Sequence, residues 1–166
     1  ATAGAEPAAP EITLTYANFP PEATFPCVQM ERWSQEVKAR TQGRVVVQTF
    51  PGGTLLGAKD MFDGVISGTA DIGNFAMSYQ PGRFPVSEAV DLPHFFADAR
   101  TASLVLCDLI EKYQPAEFAK VQVLTVFTCP PAGVMTTTEV SNLAGLKGLE
   151  LRSSGTGAEA MKRLGV

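Results

Sequence analysis

Apolar and polar side chains alternate at a period of two over Ile12–Tyr16, which predicts a strand, and the ANFPP segment from Ala17 to Pro21 ends it. From Pro26, a natural first helical residue, the period lengthens. Cys27, Met30, Trp33 and Val37 recur three or four apart with charged residues opposite, predicting an amphipathic helix that Gly43 stops. Val45–Phe50 is a β-branched run suited to a buried strand and is cut off by Pro51, Gly52 and Gly53. A second helix is expected over Gly57–Ile66 with Met61, Val65 and Leu56 inward, and Gly68 then leads into a short strand, Asp71–Phe75. Strands alternating with helices in this way are the mark of a parallel α/β sheet.

Further along, Pro81, Gly82, Pro85 and Pro93 predict a structured loop over Ser78–Phe96. Helical spacing returns over Ala99–Tyr113 through Leu104, Val105 and Ile110. Val121–Phe127, Gly133–Thr137 and Leu149–Arg152 read as strands, and Gly155–Leu164 as a last helix. A chain that stops on the first helix after a new strand leaves that sheet little cover, so one domain and the beginning of a second are expected, in an incomplete chain.

Composition narrows the function. Hydrophobic residues make up 45% of 166, enough for a packed core. A net charge of -4 without clustered Lys and Arg argues against a nucleic-acid surface and favours a small molecule or a protein as partner. No apolar run approaches the ~20 residues that span a bilayer, so the chain is not expected to be membrane-embedded. The opening ATAGAEPAAP resembles the small-residue tail left when a secretory signal is removed, and residues 1–11 are expected to be a disordered leader. Cys27, Cys107 and Cys129 match no zinc or redox spacing; Cys27 and Cys107 lie on apolar faces of expected helices and read as small buried hydrophobes.

Catalytic constellations are scarce. The single histidine, His94 in DLPHFF, would have to serve any triad or histidine metal cluster, and a structural imidazole fits that setting better. Asp60 and Asp63 share a helix face as solvated residues do, and Asp71 is expected to organise a turn through its carboxylate. GGTLLGAK lacks the spacing and the hydroxyl residue of a phosphate loop. No catalytic residue, metal or cofactor is expected. Arg152 is the leading candidate for binding: it ends an expected strand and precedes SSGTG, where Ser153 and its neighbours leave room and offer hydrogen bonds. Its guanidinium fork matches a carboxylate in two-point fashion. Tyr16, Phe19, Phe75, Tyr79 and Phe127 lie at or near expected strand ends, where open α/β sheets take ligands. Phe19 and Tyr79, in loops, suit a pocket wall; Phe75 and Phe127 suit core packing as well.

ARTQGRVVVQTFP, LLGAKDMFDGVISGTADIG, GRFPVSEAVDLPHFF and LAGLKGLELR, in that order, carry a resemblance. Over Ile12 to Val166 the chain resembles the solute-binding subunit of tripartite ATP-independent periplasmic (TRAP) transporters, of the dicarboxylate-receptor type. The resemblance implies a periplasmic-binding-protein-like fold: two α/β lobes with a ligand cleft at their hinge, 12–125 as the first lobe and 126–166 as the start of the second. It implies a periplasmic receptor, without chemistry of its own, that hands a small organic acid to membrane subunits; a monomer is expected. It places Arg152 on the ligand carboxylate and Asn18 and the segment Phe75, Ala76 to Tyr79 at ligand contacts. Many members carry a further arginine upstream, where this chain has CPPAGVMTT, Cys129 to Thr137, without a cation. One arginine with several aromatics therefore favours a monocarboxylate, aromatic or branched, over a dicarboxylate or sugar acid. The alternative is a sensor domain of the same fold feeding a membrane signalling protein.

Overall fold

A computed structural model of the chain describes residues 10–92, 96–153 and 155–166. The chain divides into two compact units, 1–76 and 77–166.

In the first unit, β1 (Ile12–Asn18), β2 (Val45–Phe50) and β3 (Ile72–Asn74) form a parallel sheet in the order β2-β1-β3. Ile12 lies opposite Val45 on one side of the central strand, and Asn18 lies opposite Asn74 on the other. Parallel neighbours need a crossover between them. Helix α1 (Phe25–Arg40) supplies the first, with Pro26 at its second residue rather than its first and Lys38 and Arg40 in its last turn, where cations oppose the helix dipole. Its inward row is Cys27, Met30 and Ser34; Trp33, expected to face inward, is 40% exposed. The reason is that the indole flanks the row and meets Tyr16 edge-on, with ring centroids 5.9 Å apart.

Helix α2 (Met61–Ile66) supplies the second crossover and is shorter than the expected 57–66, because Gly57 to Asp60 form a turn, Asp60 N–H donating to the Gly57 carbonyl at 3.1 Å. Met61 is fully buried with Ala17 and Ala70, and Phe19, Leu55, Leu56, Val65 and Phe75 pack around these three. Gly64 lies under Leu56, where any β-carbon would overlap the leucine side chain. Asp71, expected to organise a turn, instead ties the entry to β3 to the central strand: its carboxylate accepts from Thr15 N–H at 2.7 Å and from Thr15 Oγ1 at 2.8 Å, and its own N–H donates to Thr15 Oγ1 at 3.0 Å.

In the second unit, the segment expected as a loop holds two short 3₁₀ turns, Met77–Tyr79 and Ser87–Asp91. His94 lies outside the described residues. Helix α3 (Ala99–Tyr113) is capped by Asp98, whose Oδ1 accepts from Thr101 N–H at 2.7 Å. It buries Ala102, Leu106 and Ile110, four apart; Leu104 and Val105, expected to face inward, are 56% and 40% exposed because they flank that row. Phe84 and Phe118 stack at 5.5 Å, and the Glu117 carboxylate accepts from Ser87 Oγ at 2.6 Å, Ser87 N–H at 3.1 Å and Val86 N–H at 3.3 Å. Helix α4 (Gly155–Arg163) follows.

The segments expected as strands over 121–127, 133–137 and 149–152 have no ladder partners among the described residues and form no strand there. Their composition suits strands, but a strand exists only where a neighbour takes its N–H and C=O groups. Thr128 is instead tied to α3: its N–H donates to Ser103 Oγ and its hydroxyl to the Ala99 carbonyl, both at 2.9 Å.

Candidate functional site

Each unit carries its own share of the expected site residues. In the first unit, Asn18 ends the central strand and Phe19 follows it, while Phe75 and Ala76 follow β3 beside it. Parallel pairing therefore brings these residues to the carboxyl edge of the sheet. Phe19 and Phe75 both pack against the Ala17, Met61 and Ala70 core, and Phe75 lies 5.0 Å from the Phe62 ring, so both are packing residues there. Asn18 is fully buried. Its backbone is held on several sides: the Asn18 carbonyl accepts from Gly53 N–H at 3.0 Å, the Pro20 carbonyl from Gly52 N–H at 2.9 Å and from the Cys27 thiol at 3.1 Å. Gly52 and Gly53 have φ of 68° and 72°, which is why the chain after β2 can fold back onto the end of β1.

Beside Asn18 stands a residue that periodicity did not single out. Asn74 donates from Nδ2 to Asn18 Oδ1 at 3.0 Å. Asn18 Nδ2 has no partner, the one such buried side-chain N or O atom among the described residues. An amide ending the second of two adjacent strands was the available signal, and it could be read only with the register known.

Burial of Tyr16, two residues before Asn18, pushes its phenol above the ordinary range, with Cys27 adding to the effect. A neutral phenol and two amides leave this edge of the sheet uncharged, which suits polar recognition more than proton transfer.

In the second unit, Tyr79 belongs to the turn Met77–Tyr79, and that turn packs against α4. Gly155, the first residue of α4, lies so close to the Ser78 carbonyl that a β-carbon there would overlap it. The turn carrying Tyr79 is thus brought to the start of α4, and Arg152 and Ser153 lie in the chain that leads into that helix. Arg152 and Ser153 are both exposed, and among the described residues no carboxylate pairs with Arg152. A guanidinium ahead of a helix N-terminus, where backbone N–H groups lack intrahelical partners, is a suitable arrangement for an anion. Phe127, 42% exposed, is carried by the segment that Thr128 ties to α3.

Among the described residues, no cluster of His, Cys, Asp or Glu could hold a metal ion, and no helix is long and apolar enough to cross a membrane. Cys27 is buried, as expected; Cys107 is only half-buried and Cys129 exposed, and all three are free thiols.

The family model for bacterial extracellular solute-binding proteins, family 7 (DctP), matches residues 17–166. A crystal structure of a TRAP periplasmic solute-binding protein from Desulfovibrio salexigens, in an open form, is 54% identical over 94% of this chain and 49% of its own, with a TM-score of 0.81. A marine metagenome TRAP solute-binding protein specific for aromatic acids, solved with 3-hydroxybenzoate, is 27% identical over 95% of this chain and 51% of its own, with a TM-score of 0.82. A TRAP periplasmic solute-binding protein from Bordetella bronchiseptica, solved with (R)- and (S)-mandelate, is 25% identical over 93% of this chain and 50% of its own, with a TM-score of 0.81. The chain spans about half the length of the solved structures it matches.

Proposed function

This chain belongs to family 7 of the bacterial extracellular solute-binding proteins, and from that membership we propose that it serves a TRAP transporter as its receptor for a small monocarboxylic acid. The observation that carries the reading is Arg152, an exposed guanidinium without a carboxylate partner among the described residues, ahead of the N-terminus of α4. A carboxylate there would meet two parallel N–H donors from the fork and the unpaired N–H groups of the helix start, with the Ser153 hydroxyl adjacent. Tyr79 and Phe127 supply aromatic surface in the same unit; in the first unit Asn18 and Ala76, with the packed Phe19 and Phe75 beside them, are the candidate contacts.

The ligand is an aromatic or branched acid in this reading, in keeping with 3-hydroxybenzoate and mandelate in the two relatives. Without a second cation near Cys129 to Thr137, a dicarboxylate would bring an unneutralised charge. The receptor acts in the periplasm after removal of its signal peptide, as a monomer, and delivers the acid unaltered to the membrane subunits. The lobes in this reading are 12–125 and the beginning of a second at 126–166.

The test is native and denaturing mass spectrometry of the protein purified from its full gene, followed by calorimetric titration with 3-hydroxybenzoate and mandelate. A small acid lost on denaturation, micromolar or tighter affinity, and a loss of roughly ten- to a hundredfold in Arg152→Ala are expected, from the ~1.5–3 kcal/mol of a hydrogen bond to a charged group. Arg152→Lys keeps the charge but not the fork and falls between the two. Unchanged affinity in Arg152→Ala would remove the residue from its role, and an acid recovered in altered form would make the protein an enzyme.

A further inference from the structure

Asn18 Nδ2 is buried without a hydrogen-bond partner, although nearly all buried polar groups in folded proteins are paired. It sits at the carboxyl end of the central strand of a parallel sheet, the edge at which open α/β sheets take ligands. The surrounding backbone is fixed by the Gly53, Gly52 and Cys27 contacts, so local drift cannot satisfy the amide. An asparagine amide offers a donor on one side and an acceptor on the other, and a half-turn exchanges them. In the arrangement observed, Asn74 Nδ2 donates to Asn18 Oδ1 at 3.0 Å, which leaves the Asn18 donor facing away.

We infer that Asn74 is a positioning residue: it locks the Asn18 amide so that a desolvated N–H is presented to an acceptor oxygen of the ligand. The inference rests on the receptor reading above. Its chemical consequence is selectivity. A carboxylate, carbonyl or hydroxyl oxygen satisfies the donor, whereas an ammonium group placed there opposes it, so amino-substituted acids are rejected.

The experiment uses the full-length receptor, nitrogen-15 labelled, with 3-hydroxybenzoate, meta-hydroxyphenylacetate and mandelate as probes. The Asn18 side-chain NH₂ signal is assigned by its disappearance in Asn18→Ala. On saturation with the best-bound probe, one of its proton resonances is expected to move downfield. Asn74→Ala, which frees the amide to turn, and Asn74→Asp, whose carboxylate only accepts and so draws the Asn18 N–H to itself, are each expected to weaken binding roughly tenfold or more. In Asn74→Asp the downfield shift on binding is lost, while its melting temperature and the Arg152 dependence of residual binding are retained. An Asn18 signal unmoved by a probe whose binding Arg152→Ala weakens would overturn the inference and leave the receptor reading standing; so would unchanged affinity in both Asn74 variants. Binding of none of the three probes, or binding indifferent to Arg152, would overturn the receptor reading and this inference with it.

Discussion

Replacing Gly155 by alanine sets a methyl group on the Ser78 carbonyl oxygen, with the Ser78 carbonyl carbon 3.0 Å and its Cβ 3.2 Å away. Two effects then combine. Gly155 has a φ of +57°, where a β-carbon costs about 1–2 kcal/mol. The overlap is with backbone, which cannot swing aside, so Met77–Tyr79 and α4 must move apart at a further ~1–3 kcal/mol. Gly82 separates the two, because its φ is +78° but a β-carbon there meets nothing within 4 Å. Both substitutions narrow the unfolded ensemble by the same ~0.4–1 kcal/mol in favour of folding. Gly82→Ala should therefore destabilise by roughly 0–1.6 kcal/mol, and Gly155→Ala by ~1–3 kcal/mol more. Urea denaturation followed by circular dichroism measures the difference. Equal destabilisation in the two variants would refute the close approach of α4 to Ser78. Affinity adds a second readout: Arg152 and Ser153 lead into α4, so 3-hydroxybenzoate binding should weaken in Gly155→Ala and not in Gly82→Ala.

Other outcomes follow from the same contacts. The Asp71 carboxyl is held below its ordinary range chiefly by the Thr15 N–H and then the Thr15 hydroxyl; a depressed pKa contributes stability above the unfolded value of about 4 and loses it as pH falls through the lower folded value. Asp71→Asn should therefore flatten the acid limb of the stability curve while changing little at pH 2, and, since Asp71 is exposed, by less than about 1 kcal/mol at neutral pH. Glu117→Gln leaves the Ser87 and Val86 donors with a weaker, uncharged acceptor and should cost ~1 kcal/mol or more in urea denaturation, whereas Glu117→Asp, too short to reach all three, should cost at least as much. Peptide mapping after thiol labelling at neutral pH should find Cys129 modified first and Cys27 last; Cys107 should lag Cys129, because desolvation and then Glu111 push its thiol upward.

Unit by unit, legibility followed the range of the interactions concerned. In the first unit β2 lies where its β-branched run placed it, and β1 and β3 depart from expectation by a few residues, since a two-residue or helical period, punctuated by Pro and Gly, reports on neighbours along the chain. The helices were legible in place and less so in facing: the buried rows are Cys27, Met30, Ser34 and Ala102, Leu106, Ile110, and Trp33, Leu104 and Val105 stand beside them. Spacing misled there, because residues three or four apart define adjacent rows on a helix without saying which row meets the neighbouring element. The second unit read worst, for Val121–Phe127 and Gly133–Thr137 have strand composition but no described neighbour, and a ladder needs two members.

The candidate site shows the same division more sharply. Arg152 can be nominated from residue type and setting, because two-point recognition of a carboxylate is a property of one side chain. Asn74 could not, since its role exists only through Asn18, and the two are joined by a strand register spanning 56 residues. Ser78 and Gly155 form a second pair of this kind, distant in sequence and meaningful only as a contact. In both pairs one member is a small or short polar residue that periodicity treats as neutral. A candidate arginine can thus be read from one position, whereas Asn18 with Asn74 in the first unit and Ser78 with Gly155 in the second are properties of pairs, so substitutions at Asn74 and Gly155 should each disturb recognition while leaving every expected ligand-contacting side chain in place.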